Sequence, residues 1–424
     1  MGVKTRKLGN INNQIVEWQA VHVSDGSTAL TTVAGRGYFI NTTSGAQTVN
    51  LPGTPRFGDR VSLKDFARTW DSNAITMGSN KFDGVASQTP SFDTKGQTVS
   101  LIYMGSAQGW SLINEDTTTG LGKQYIAATG GTVTTVDTNF KVHVFTGDGN
   151  FVVSCAGNSD GSNKVSYLVV AGGGGGGVAN GGGGGGGAGG YREGKAPAFD
   201  SYSASPLAAP DGLTVSAQTY PITVGAGGVG NSSPNSPGGS PAFNGNNSIF
   251  STITSTAGGG GASGNTSPNT GSTGGSGGGG GKTDQSSPGA GAAGNTPPVS
   301  PPQGNTGGTG GNNSGGGGGG ASAVGGNATS SSNPSNGGAG GNGVASSITG
   351  SPVTRAGGGG GNSENGTGGT GGTGTAGNGG TGGASSGTNG GANTGSGGGG
   401  ADSPGGGSGG GGKGIVVIRY KFQN

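Results

Sequence analysis

The segment from residue 171 to residue 413 constrains this chain most, because it holds almost nothing to bury. Glycine fills 172–177, 181–187, 258–261, 277–281, 315–320, 357–361 and 397–400. No aromatic residue lies between Phe250 and Tyr420, and from Ser201 to Gly412 the charged side chains are Asp211, Lys282, Asp284, Arg355, Glu364 and Asp402. Glycine loses more backbone freedom on folding than any other residue, and fixing each residue costs roughly 1–2 kcal/mol. Apolar burial cannot offset that cost here. The segment is therefore either disordered or held by backbone hydrogen bonds in place of side-chain packing.

The second alternative has a definite geometry. An extended helix with three residues per turn and a rise of about 3.1 Å lets chains without Cβ atoms approach and exchange N–H to O=C bonds. Gly368, Gly371, Gly374, Gly377, Gly380 and Gly383 keep the threefold period. The period then fails, which excludes collagen. Pieces rich in Ser, Asn, Pro and Thr, such as 232–237, 296–302 and 329–336, separate the runs. The pattern predicts many short extended helices joined by turns, a polyglycine-II-like bundle.

Strand signals frame this segment. Lys141-Val-His-Val-Phe-Thr and Phe151-Val-Val-Ser flank a Gly147-Asp148-Gly149 turn, a hairpin signal. Val165-Ser-Tyr-Leu-Val-Val is apolar on both faces and reads as a buried strand leading into Gly172. Further strands are expected at 220–224 and 248–255, and a last one at 414–422. There Val416, Ile418, Tyr420 and Phe422 share one face, while Arg419 and Lys421 point the other way. That last strand needs a partner, and the strands at 141–170 are the natural ones. Loop closure grows only logarithmically with length, so a long insertion between paired strands is tolerable.

Residues 1–115 have ordinary composition and period-two runs broken by turn residues. Strands are expected near 38–42, 48–51, 60–64, 74–77, 97–103 and 109–112, the first two with hairpin-like spacing. The predicted fold class is mainly β, a small N-terminal β-sandwich or barrel followed by a β-domain clamping the glycine bundle. The expected division is 1–115, a linker at 116–128, and a glycine-rich domain over 129–424.

Composition narrows the function. A net charge of +2 with 9% charged residues leaves no electrostatic footprint for nucleic acid or an anionic membrane. No apolar stretch reaches 18 residues, so no membrane insertion is expected. The N-terminal basic residues precede no hydrophobic run, which argues against a secretory signal, and Arg6 stands where myristoylation needs Ser or Thr. Cys155, alone, reads as a small buried hydrophobe. Ser276-Gly-Gly-Gly-Gly-Gly-Lys-Thr misses the phosphate-loop pattern at its first position and lacks the flanking strand and helix. Asp59, Asp65, Asp71, Asp83 and Asp93 read as turn residues, and His22 and His143 each sit alone between valines. No catalytic constellation, cofactor or metal site is expected, and the chain is not expected to be an enzyme.

Recognition chemistry fits better. Tyr191, Arg192, Phe199 and Tyr202, with the proline-bearing 205–210 segment, form an aromatic-bearing loop in the glycine-rich domain. Two readings stay open: exposed contact residues on a rigid scaffold, or aromatics that cap the β-clamp. The isolated charges Lys282, Asp284 and Arg355 complete the candidate receptor-binding set.

Two stretches carry a resemblance. Gly37-Tyr-Phe-Ile-Asn-Thr-Thr-Ser-Gly-Ala-Gln-Thr-Val-Asn-Leu-Pro, with Gly58-Asp-Arg-Val-Ser-Leu-Lys-Asp and Gly96-Gln-Thr-Val-Ser-Leu-Ile-Tyr, resembles a module of tail and virion structural proteins of marine phages, especially cyanophages. Lys141-Val-His-Val-Phe-Thr-Gly-Asp-Gly-Asn-Phe, the 165–177 run and the final Gly-Ile-Val-Val-Ile-Arg-Tyr resemble the glycine-rich domain of the same proteins. In composition and architecture the chain is also similar to tail-fibre tip adhesins of T-even-type phages, whose stacked glycine-rich helices present variable host-contacting loops. The resemblance implies a virion protein made in the host cytoplasm, partnered by other tail or fibre proteins and by a host surface glycan or outer-membrane protein, with a homotrimer possible. The alternative is a purely architectural virion protein of baseplate, neck or capsid.

Overall fold

A computed structural model of the chain describes residues 16–113, 123–231, 242–263, 269–282, 288–329 and 334–423. The chain is mainly β, as its sequence predicts, and no helix forms among the described residues. It divides into two compact units, one of Met1–Ala127, Ser154–Asn163 and Gln423–Asn424, the other of Ala128–Val153 and Lys164–Phe422.

In the first unit an eight-stranded and a four-stranded sheet share one core. Alternation puts Tyr38, Ile40, Val61, Leu63, Val99, Leu101 and Trp110 of the larger sheet against Val49, Ile75, Met77 and Phe92 of the smaller. The expected hairpin at 38–51 does not form. Arg36–Asn41 pairs in parallel with Arg60–Asp65, while Gln47–Asn50 belongs to the other sheet. The intervening turn is therefore a crossing between layers.

In the second unit Ile415–Lys421 lies between Phe140–Phe145 and Lys164–Val170, antiparallel to both. It has the partners its sequence demanded, and both of its faces are covered, Arg419 included. The Gly147-Asp148-Gly149 turn again carries the chain between sheets: Gly149–Ala156 pairs with Thr219–Thr223. The expected strand over 248–255 is a tight hairpin, Ser248–Phe250 with Ile253–Ser255, turned at Ser251 in the left-handed region.

The glycine runs are neither strand nor helix, and their hydrogen bonds follow a period of three. Gly172 and Gly175 donate to Asn246 and Phe243; Gly173 and Gly176 to Gly412 and Gly409; Gly174 and Gly177 to Gly187 and Gly184. The same run accepts from Gly258 and Gly261, from Gly228, and from Gly398 and Ala401. One run is thus bonded to six surrounding segments, with N···O distances of 2.8–3.0 Å on its donor side. At the surface, side chains stand in for the next backbone. The Oδ1 atoms of Asn389, Asn378 and Asn244 accept from the N–H groups of Gly410, Gly371 and Gly260. The Asn and Thr between the runs thus end the lattice without stranding donors.

This arrangement separates glycines that must stay bare from those that need not. A Cβ at Gly176 would overlap the carbonyl of Gly399, well inside 3.0 Å, whereas at Gly410 the nearest atom is 3.4 Å away. Neither has positive φ. Gly176→Ala is expected to lose about 1–3 kcal/mol or more of stability through overpacking. Gly410→Ala is expected to be neutral or stabilising by about 0.5 kcal/mol. Urea unfolding of the two variants beside the parent checks both.

Candidate functional site

The second unit carries its few charges in two places, separated by the length of the glycine runs.

At the strand end two carboxylates and two guanidinium groups, of Glu193, Asp200, Arg355 and Arg419, are buried. Glu193, 2% exposed, follows Tyr191 on the Tyr191–Gly194 strand. It accepts from the hydroxyls of Tyr191 (2.8 Å), Tyr202 (3.0 Å) and Ser346 (2.7 Å) and from the Ser205 N–H (3.1 Å). Burial, aided by the Glu193 charge, raises both tyrosine hydroxyls far above their ordinary value. Arg355, also buried, has its guanidinium pulled down by desolvation, against the opposing pull of Tyr191 and Glu193. Beside this network, Arg419 Nε donates to both oxygens of Asp200 (3.0 and 3.1 Å), and Nη2 donates to Asp137 (2.7 Å). Its guanidinium lies 4.4 Å over the Phe140 ring. A buried cation is tolerated because it is paired and its donors are used.

Burial corrects part of the expected receptor-binding set. Tyr191, Tyr202 and Arg355 are withdrawn from solvent and act as core, so of the two readings of the loop, capping describes the tyrosines. Of the loop residues, Arg192 and Phe199 remain partly exposed. Arg192 lies 3.4 Å from the Thr254 carbonyl, and Phe199 closes the short turn that begins at Ala196.

The far end is polar and more open. Val178–Ala179 pairs in parallel with Ala401–Asp402, and Asp402 accepts from the Gly181 N–H at 2.7 Å. Gly181 needs its freedom: its φ is +97°. Against it lies Lys282, whose ammonium is 3.5 Å from the Glu364 carboxylate, while its N–H is fixed on the Gly182 carbonyl. Lys282 and Glu364, 82 positions apart in the chain, thus meet beside the Gly181 turn, with Glu364 the more exposed. Asp284 lies outside the described residues. On the flank, Gly228, Asn389 and Gly411 help line an open groove of about 450 Å³.

Glu193, Asp200, Arg419 and the partner Glu364 are the residues missed by reading candidates from aromatics and isolated cations. For the three carboxylates the signal was their rarity in so neutral a chain. Among the described residues no group of three His, Cys, Asp or Glu is placed to hold a metal ion. A family model described as a glycine-rich domain matches residues 146–421, so the chain belongs to that glycine-rich domain family. A comparison with curated proteins gives no match.

His143 ties the clamp to pH. It is fully buried; Nδ1 is 2.7 Å from the Gly130 carbonyl, which can only accept, so Nδ1 carries the proton and Nε2 faces the Tyr420 hydroxyl at 3.1 Å. Burial lowers its affinity for a second proton below the ordinary 6.5. The unfolded chain therefore binds that proton more readily. Its stability contribution is complete above pH 6.5 and falls as pH drops below it. Unfolding at pH 7.5 and 5.5 should differ by about 1 kcal/mol, and His143→Gln should flatten that slope.

Proposed function

We propose that this member of the glycine-rich domain family is a phage virion protein, part of a tail fibre or related host-contact appendage. The glycine runs are read as a polyglycine-II-like bundle, held at one end by the β-clamp and presenting loops at the other. The observation that carries this reading is the bundle end itself. There the Lys282–Glu364 pair, Glu364 the more exposed, is what a partner meets, beside a turn that the buried Asp402 fixes through the Gly181 N–H. The partner expected is a host surface glycan or outer-membrane protein, bound through polar, side-chain-poor contacts. Residues 1–115 are assigned to mounting on other virion tail or fibre proteins, in a homotrimer or singly.

Burial of Tyr191, Tyr202 and Arg355 favours the second reading, an architectural protein of baseplate, neck or capsid with no receptor. The two readings separate in one experiment. Under the first, the purified chain competes with particles for adsorption to their host. Lys282→Glu should weaken that competition several-fold, and Lys282→Glu with Glu364→Lys should recover it. Unaltered adsorption at saturating protein, with gold-labelled antibody marking a position away from the host-facing end, overturns the first reading in favour of the second.

A further inference from the structure

The outer face of the larger sheet in the first unit carries side chains that a solvated face has no reason to carry. Register fixes which ones. Trp18 pairs with Gly37, Val23 with Asn41, Gly37 with Ser62 and Phe39 with Lys64. These positions share a face, opposite the core residues Tyr38, Ile40, Val61 and Leu63. Phe66, one step past the Arg60–Asp65 strand, continues the face of Lys64.

On that face Trp18 stacks on Phe39 with centroids 4.6 Å apart and planes at 24°, and Phe66 meets Phe39 edge-on at 6.3 Å. Trp18 is 43% exposed and Phe66 54%. The indole rests against Gly37, where a Cβ would come within 2.7 Å of two of its carbons. Glycine at this position lets the ring lie against the sheet. Polar groups adjoin the rings. The Lys64 ammonium donates to the Gly96 carbonyl at 2.5 Å. The Asn41 Oδ1 is taken by the N–H and hydroxyl of Thr43, and its amide N–H₂ has no partner among the described residues.

We propose that this face is a binding site for a neutral oligosaccharide. A pyranose presents an apolar C–H face to an aromatic ring and hydroxyls at its rim, and the strip offers rings beside an amide donor, with the Lys64 ammonium already engaged. Size separates this ligand from a protein. A fully buried aromatic side chain removes roughly 150–250 Å², so three half-buried rings offer roughly 200–300 Å². A standard protein interface needs about 800 Å² per partner. The site belongs to the first unit alone and stands or falls independently of the proposed host-contact role.

The chain supplies its own probe. Of its three tryptophans only Trp18 is exposed, Trp70 and Trp110 being 0% and 1% accessible. The full chain is titrated with cellohexaose, maltohexaose, chitohexaose and mannohexaose, and acrylamide quenching of tryptophan emission is read. At least one sugar should shield Trp18 and cut quenching by about half. Phe66→Ala should weaken that binding about tenfold, Trp18→Ala should abolish the quenching itself, and Trp18→Phe should retain sugar binding by calorimetry. Unchanged quenching with all four sugars overturns the proposal, as does equal affinity in Phe66→Ala. Shielding that grows with protein concentration alone, with faster sedimentation, also overturns it and makes the face an interface between copies.

Discussion

The structure depends on the approach distance between backbones. At most bonded positions in the glycine runs, an added Cβ would fall inside 3.0 Å of a carbonyl on a neighbouring run. Bringing chains that close is what lets every third N–H find the same neighbour, as Gly172 and Gly175 do on Asn246 and Phe243. A conventional core excludes water and then satisfies its polar groups; here the order is reversed. The hydrogen bonds are the packing, and dense dispersion contact between bare backbones follows from them. The entropy that makes glycine costly to order is offset collectively, because each run is bonded on all sides at once.

Much of this was legible beforehand. Val165 to Val170 was apolar on both faces, and the strand has a neighbour on each edge and cover on each face. The 415–421 strand required a partner, and only the strands near 141–170 were strong enough. What the chain did not disclose was which consecutive strands pair. Gly147-Asp148-Gly149 and the 42–46 turn have hairpin chemistry, yet each joins strands of different sheets, because sandwich packing outweighs a local turn preference. Tyr191 and Tyr202 were equally ambiguous from their loop alone. Their fate was decided by Glu193, and the acceptor capacity of one buried carboxylate is visible only when its donors are assembled from residues as distant as Ser346.

The two charged clusters of the second unit illustrate how environment sets the role of similar groups. Arg419 and Asp200 are buried and locked by several bonds, so they specify how the strands meet. Lys282 and Glu364 make a longer contact nearer solvent, where such a pair contributes little to stability. The asparagines that flank the glycine runs form a third class. They carry no charge, yet Asn389 and Asn378 decide where the lattice stops.

The position of Ile415–Lys421 has a consequence for synthesis. A chain emerging from its N-terminal side lays down Phe140–Phe145 and Lys164–Val170 with a gap between them, then every glycine run, and only afterwards the strand that fills the gap. The sheet that anchors the lattice therefore stays open while the lattice is being made. Until then the runs are tethered at one end alone, and closure of the sheet is the event that turns a string of weakly ordered segments into a single cooperative body.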